Sequence, residues 1–231
     1  MSPSDQNAVA THFRALHKPG NPLILGNVYD AATASIIVSV PSAKAVATAS
    51  FAIAAAEGVN DEDLTHGYDD VKATIKEAIA LGVVGCNLED VDNKTHTLRT
   101  SEDAVHRIKL ALEAAKEAGV PEFAVNARTD VLGYGGSVED AIERGKAFLA
   151  AGANTVFVWG GPRGRGVSRE EVKELATALD GRLNVLLRFG EGYLTVQELR
   201  EIGVARISVG PGLFRIATNA YREAAESLLG A

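Results

Sequence analysis

The sequence predicts an α/β chain of the TIM (β/α)8 type with an irregular or missing third strand, on three observations. Short apolar runs alternate with polar turns and amphipathic stretches along most of the chain, which is the order that builds a parallel sheet. Two of these runs, Val83-Val84-Gly85-Cys86-Asn87-Leu88-Glu89-Asp90 and Phe123-Ala124-Val125-Asn126-Ala127-Arg128-Thr129-Asp130, end abruptly in charge. The turns "EAGVP", "AAGAN" and "EIGVA" recur ahead of a strand, as they do in a barrel assembled from similar units.

Taken in order, strands are expected over Leu23–Asn27, Lys44–Ser50, Val83–Glu89, Phe123–Arg128, Thr155–Trp159, Asn184–Arg188 and Arg206–Gly210. Helices are expected over Asp69–Leu81, Ser101–Ala118, Ser137–Ala151, Ser168–Leu179, Thr195–Ile202 and about Leu213–Leu229. Gly82 and Gly119 mark where a helix stops before a buried strand. Ser101, Ser137, Ser168 and Thr195 precede apolar-periodic runs with Glu within three residues, the pattern of N-caps. In parallel folds the strand C-termini face the ligand, so Glu89, Asp90, Arg128 and Asp130 should converge on one mouth.

A (β/α)8 barrel needs one strand more than this series supplies. Lys44–Ser50 and Val83–Glu89 are separated by a single good helix, and Phe51–Tyr68 is too short for a helix, a loop and a strand. Either a short irregular element closes the barrel there, or the barrel has a gap.

The 231 residues, 46% of them hydrophobic, can bury a large core, and one domain spanning 1–231 is expected. The formal charge of −7 gives no electrostatic reason to expect nucleic acid or an anionic membrane as partner. An anionic substrate would need a local positive site. Cys86 is the single cysteine and sits in an apolar run, so it reads as a core residue and a reducing, cytoplasmic compartment is expected. The first twenty or so residues lack an apolar signal core, and no segment reaches the roughly 18 apolar residues of a membrane span.

The segments "GNVYDAATA", "VATASFAIAAAEGVNDEDLT", "VGCNLEDVDNKT", "FAVNARTDVL", "ERGKAFLAAGANTVFVWGG" and "VARISVGPGLF" together resemble the phosphoenolpyruvate mutase/isocitrate lyase superfamily, in order and over nearly the whole chain. The resemblance implies a barrel with magnesium at the strand C-termini, a 2-oxo acid or its enolate bound there, and C–C or P–C bonds made or broken. It also implies a homodimer or homotetramer that exchanges the last helix. Glu89 falls on the acidic metal-site position, with Asp90 beside it, and Arg128 on the arginine that contacts the substrate anion or leaving group. Magnesium takes hard carboxylate oxygens and stabilises an enolate, and arginine grips a carboxylate bidentately. Asn27, Tyr29 and Asp30 after the first strand, and Thr48, Ala49 and Ser50 at the end of the second, fall where the family lines its substrate pocket. Asp61 falls in the loop that covers the site.

The departures from the family pattern cluster where the strand is missing. The Asp-rich strand end that carries the main metal carboxylates is reduced here to His66-Gly67-Tyr68-Asp69. Asp69 or Asp70 could substitute as ligand, or Asp69 could cap the following helix. Asp92-Asn93-Lys94-Thr95-His96 lacks the cysteine of the isocitrate-lyase loop, which argues against isocitrate and methylisocitrate cleavage.

Several further residues carry two readings each. Gly160-Gly161-Pro162-Arg163-Gly164-Arg165-Gly166 is a surface loop or an anion-binding loop; it lacks the lysine and hydroxyl of a P-loop. Trp159 lines the pocket or packs; Arg188 touches substrate or does not. His66 and His96 have no carboxylate partner identifiable in the sequence and read as loop histidines. Two functions therefore compete: a magnesium-dependent lyase or mutase of small 2-oxo or 2-hydroxy acids, with Glu89, Arg128 and Arg188 as its catalytic set, or a catalytically impaired relative that binds a small carboxylate or serves as an oligomeric interaction protein. A Schiff-base aldolase would need a lysine at a strand end, where only Lys94 lies near.

Overall fold

The computed structural model describes residues 1–58, 70–92, 94–161 and 166–230. Its helices are α1 (Pro3–Ala15), α2 (Ala31–Ser39), α3 (Ser50–Glu57), α4 (Val71–Ala80), α5 (Ser101–Glu117), α6 (Val138–Ala150), α7 (Arg169–Ala178), α8 (Val196–Ile202) and α9 (Gly212–Leu229). The strands are β1 (Leu23–Val28), β2 (Val46–Thr48), β3 (Gly85–Glu89), β4 (Val91–Asp92), β5 (Thr97–Leu98), β6 (Ala124–Thr129), β7 (Thr155–Val158), β8 (Leu183–Leu186) and β9 (Arg206–Ser208). Seven of them form one sheet in the order β2-β1-β9-β8-β7-β6-β3. This is the strand order of a TIM-type barrel in which, among the described residues, no strand stands between β2 and β3. All seven expected strands are present among the described residues.

The chain divides into two compact units. The larger comprises the described residues of Met1–Leu23, His66–Val185 and Leu194–Ile207. In it β3 pairs with β6, β6 with β7 and β7 with β8, all parallel. Buried Val125, Ala127, Val156 and Val158 lie on β6 and β7, while Ile108, Ala111, Ala115, Phe148 and Leu175 seat α5, α6 and α7. Apolar side chains recurring three and four apart give each helix one stripe to bury against the sheet. The smaller unit comprises the described residues of Ile24–Thr65, Leu186–Tyr193 and Ser208–Ala231, with β1 parallel to β2. Asn27 ties its strands together: its Oδ1 accepts from Val209 N (3.1 Å) and Gly210 N (2.8 Å), and its Nδ2 donates to Thr48 O at 2.9 Å.

Local chemistry moves several boundaries. Ser137, Ser168 and Thr195 cap their helices in reciprocal capping boxes. Before α5 the cap is Thr100 rather than Ser101, with the Thr100 hydroxyl accepting from Asp103 N at 3.2 Å. Asp70 caps α4 through Ala73 N at 3.0 Å. The expected strand Lys44–Ser50 is cut to Val46–Thr48, because Ala49 already stands at the N-cap of α3 and Ser50 begins that helix. Helix α1 and the β4–β5 hairpin were not expected. The strand periodicity gives no warning of a two-residue ladder, Val91 opposite Leu98 and Asp92 opposite Thr97.

Candidate active site

The site is built where β3 and β6 end. Their register sets Asn87 beside Asn126 and Glu89 beside Arg128. Side chains two residues apart share a face of a strand, so these pairs form two successive layers. In the outer layer the Arg128 guanidinium holds Asp130 with both carboxylate oxygens, Nε to Oδ1 at 2.5 Å and Nη2 to Oδ2 at 2.7 Å, and reaches Glu89 Oε1 with Nη1 at 2.8 Å. Its face lies on the Trp159 ring, 4.4 Å from the centroid, with Phe157 at 5.6 Å. This is a bidentate pair stacked on an aromatic plane, a use for which lysine would not substitute.

Asp90 anchors the arrangement from behind. It is 1% exposed; its Oδ1 accepts from Asp130 N at 2.9 Å and its Oδ2 from Arg144 Nη1 at 3.0 Å. Arg144, on α6, also donates to Arg99 O at 2.8 Å. Arg99 in turn bridges Asp92 (2.7 Å) and Asp103 (2.8 Å), fixing the base of the β4–β5 hairpin. The hairpin tip is held by the Tyr134 hydroxyl, which donates to His96 O at 3.0 Å.

Burial and pairing oppose one another here. Burial pushes the Asp90 carboxyl above the usual range, against the Thr129 hydroxyl, the Asp130 amide and the Arg144 charge. Burial likewise raises Asp130, against Arg128. For Arg128 burial works against the charge, but the Glu89 and Asp130 carboxylates outweigh it and hold the guanidinium above its ordinary value. Arg128 is a fixed cation at any working pH.

The expected residues are distributed over both units. Glu89, Asp90, Arg128 and Trp159 come together in the larger unit, as described. In the smaller unit Asp30 caps α2 in a capping box with Thr33, which lowers its pKa through the Thr33 amide and hydroxyl. Tyr29 stacks edge-on against Phe214 at 4.8 Å. Thr48 ends β2 with its carbonyl on Asn27, followed by Ala49 and Ser50 at the start of α3. Arg188 lies beyond the end of β8, over the Tyr193 ring at 5.6 Å. Asp61, His66, Asp69 and residues 162–165 lie outside the described residues.

Arg144 and Asn126 escaped the sequence reading. Arg144 carried a usable signal, since it occupies the apolar stripe Ala141, Gly145 and Phe148 of α6, where a charge needs a buried partner. Among the described residues no three His, Cys, Asp or Glu side chains form a metal-binding group. Asp90 and Asp130 have both oxygens engaged and Glu89 shares Arg128, so the carboxylates as arranged do not fit a magnesium ion.

The family model for phosphoenolpyruvate phosphomutase matches residues 13–66 and 62–229. A phosphonomutase candidate from Burkholderia cenocepacia J2315 is 31% identical in sequence, with a TM-score of 0.84 over 96% of this chain and 99% of its own. The solved 2,3-dimethylmalate lyase, a phosphoenolpyruvate mutase/isocitrate lyase superfamily member, is 25% identical, with a TM-score of 0.79 over 95% and 86% of the two chains. A 2-methylisocitrate lyase of Shewanella oneidensis is 29% identical over 178 residues, 71% of this chain and 56% of that one. With its family model matched from Phe13 to Leu229, the chain belongs to the phosphoenolpyruvate phosphomutase family of the phosphoenolpyruvate mutase/isocitrate lyase superfamily.

Proposed function

We propose that the chain is a lyase or mutase-type enzyme that cleaves or rearranges a C–C (or P–C) bond in a small 2-oxo or 2-hydroxy acid through an enolate. The observation that carries this reading is Arg128: a part-buried, permanently charged guanidinium at the end of β6, flanked by a carboxylate that it can exchange for a substrate anion. The Glu89 side chain is 38% exposed against 5% for Asp130, so Glu89 is the partner a substrate oxyanion would displace. Asp130 stays in place and keeps the guanidinium aimed. As the bond breaks, charge gathers on the enolate oxygen beside Arg128, where a preorganised cation lowers the barrier. The displaced Glu89 carboxylate is then placed to take the hydroxyl proton of a 2-hydroxy acid.

Magnesium is the cofactor that the family resemblance implies, and the superfamily's named relatives, a dimethylmalate lyase and a methylisocitrate lyase, act on small acids. The guanidinium-saturated carboxylates favour a second reading, in which a small dicarboxylate is bound at Arg128 without turnover. The protein is further taken to work in the cytoplasm as a homodimer or homotetramer. Helix α9 supports the oligomer, since it buries no residue within the chain and exposes Ile216, Tyr221, Leu228 and Leu229. Among the described residues no helix is long and apolar enough to cross a membrane.

The test pairs calorimetric titration of oxalate, a mimic of the pyruvate enolate, with a pyruvate-release screen of oxaloacetate and alkylated malates, each with and without magnesium. Oxalate should bind the wild type and bind Arg128→Lys at least about tenfold more weakly, the loss of one charge-assisted bidentate pair. Pyruvate release supports the enzyme, and binding without release supports the binder. Equal oxalate affinity in both proteins refutes the site.

A further inference from the structure

Asp90 is a junction of three backbone bonds. Its amide donates to Arg128 O at 3.1 Å, its Oδ1 accepts from Asp130 N at 2.9 Å, and its carbonyl accepts from Arg99 N at 2.8 Å. The first two bonds bracket Thr129 and fix the stretch of backbone from which both Arg128 and Asp130 project. The third closes the base of the β4–β5 hairpin. At 1% exposure the Asp90 carboxylate needs a cation beside it, and Arg144 supplies one, Nη1 to Oδ2 at 3.0 Å.

Helix α6 sets the depth of that cation. A Cβ on Gly145, the next residue, would stand 2.9 Å from Leu179 Cδ2 and 3.3 Å from Val156 Cγ1, so the helix lies close on β7. From there Arg144, its side chain 14% exposed, gives Nη1 to Asp90 and Nη2 to Arg99 O at 2.8 Å. One planar guanidinium thereby spans the two residues at which the hairpin leaves and rejoins the sheet. A lysine ammonium is a single point of charge and does not match both acceptors in this way. Both bonds of Arg144 go to this frame, and neither goes to Glu89, Arg128 or Asp130.

We propose that Arg144 is a positioning residue of the Arg128 anion site and acts through Asp90, an inference that rests on the reading of Arg128 as the group that binds the substrate anion. With Arg144 in place, Asp90 keeps Oδ1 on Asp130 N, Asp130 keeps both oxygens on Arg128, and Nη1 of Arg128 faces Glu89 or the anion that replaces it. Without Arg144 the buried carboxylate is uncompensated and turns away, and Asp130 N loses its acceptor. An amide at position 90 needs no counter-charge and still offers an oxygen to Asp130 N. The defect of Arg144→Met is therefore repaired by a second substitution, Asp90→Asn.

Two measurements on the full chain test this. One is calorimetric titration of oxalate; the other is the Nε–Hε nuclear magnetic resonance signal of Arg128, which needs no ligand and is identified by its loss in Arg128→Lys. Arg144→Met should bind oxalate at least about tenfold more weakly than wild type and shift or broaden the Arg128 signal. Adding Asp90→Asn should restore the signal and bring the affinity to within about threefold of wild type, a non-additivity that general loss of stability does not produce. Arg144→Lys, which keeps the charge and carries the test if Arg144→Met does not fold, should bind oxalate about threefold more weakly with a shifted Arg128 signal. An Arg128 signal unchanged in the folded Arg144 variant overturns the proposal, as does a double variant as weak as Arg144→Met. Oxalate affinity that falls in Arg128→Lys but holds in the Arg144 variants overturns it too and leaves the reading of Arg128 standing. No oxalate binding to the wild type refutes that reading and this proposal with it.

Discussion

Arg128, part-buried, and Arg206, buried, lie in the same unit, one side-chain layer apart, and their surroundings treat them oppositely. Around Arg128, burial of a cation is answered by Asp130 and Glu89, and its pKa rises. Around Arg206 the neighbours are amides and a thiol, and its pKa falls to about 10. The outer layer also over-compensates: Glu89, Asp90 and Asp130 face Arg128 and Arg144, three negative charges against two positive. An excess negative charge suits a place where carboxylates are exchanged for substrate.

The largest expected effect breaks the paired side of this comparison. Arg128→Met leaves Asp130, 5% exposed, without its bidentate partner and leaves Glu89 beside two further carboxylates. Removing one member of a buried pair costs about 3–5 kcal/mol, so the midpoint in urea should fall by that equivalent at neutral pH. Part of the loss should return in mild acid, where the carboxylates take up protons. A midpoint equal to wild type would mean that the two carboxylates are solvated in solution.

The second effect probes the unpaired side through pH. The His17 pKa falls from 6.5 to about 4 on folding, so the unfolded chain binds the proton more tightly. The stability this neutral histidine supports is complete above pH 6.5 and is lost as pH falls toward 4. The span corresponds to at most about 3 kcal/mol. His17→Gln should flatten the stability profile over that window. Should the two profiles run parallel there, His17 is not held neutral by the fold.

This contrast was only half legible in the sequence. The outer layer could be read because strand ends carry charge in a recognisable pattern, and Glu89, Asp90 and Arg128 follow directly from runs that stop in "LED" and "NARTD". All seven strands could be placed because each is a short apolar run between turns. The inner layer could not be read, because Asn87, Asn126, Thr155 and Arg206 lie inside or at the start of such runs, where a polar residue gives no sign of whether its partner exists. Arg206 and Asn87 are 119 residues apart, a contact that exists only once the strands are assembled. The Thr100 cap and the β4–β5 hairpin were missed for a local reason: adjacent Thr100 and Ser101 are both good caps, and two-residue strands have no periodicity.

The smallest effect would turn the inner layer into a copy of the outer one. Asn87→Asp keeps the side-chain volume and the oxygen that already accepts from Arg206 Nη2 at 3.2 Å and from Asn126 Nδ2 at 2.9 Å, and it adds the missing negative charge. The new carboxylate would be buried, which costs desolvation, but the cation it meets is already buried and its desolvation is already spent. The net gain should therefore be small, about 1 kcal/mol in the urea midpoint. If Asn87→Asp lost stability instead, the added carboxylate would not be reaching Arg206, and the guanidinium would have to be satisfied from another side.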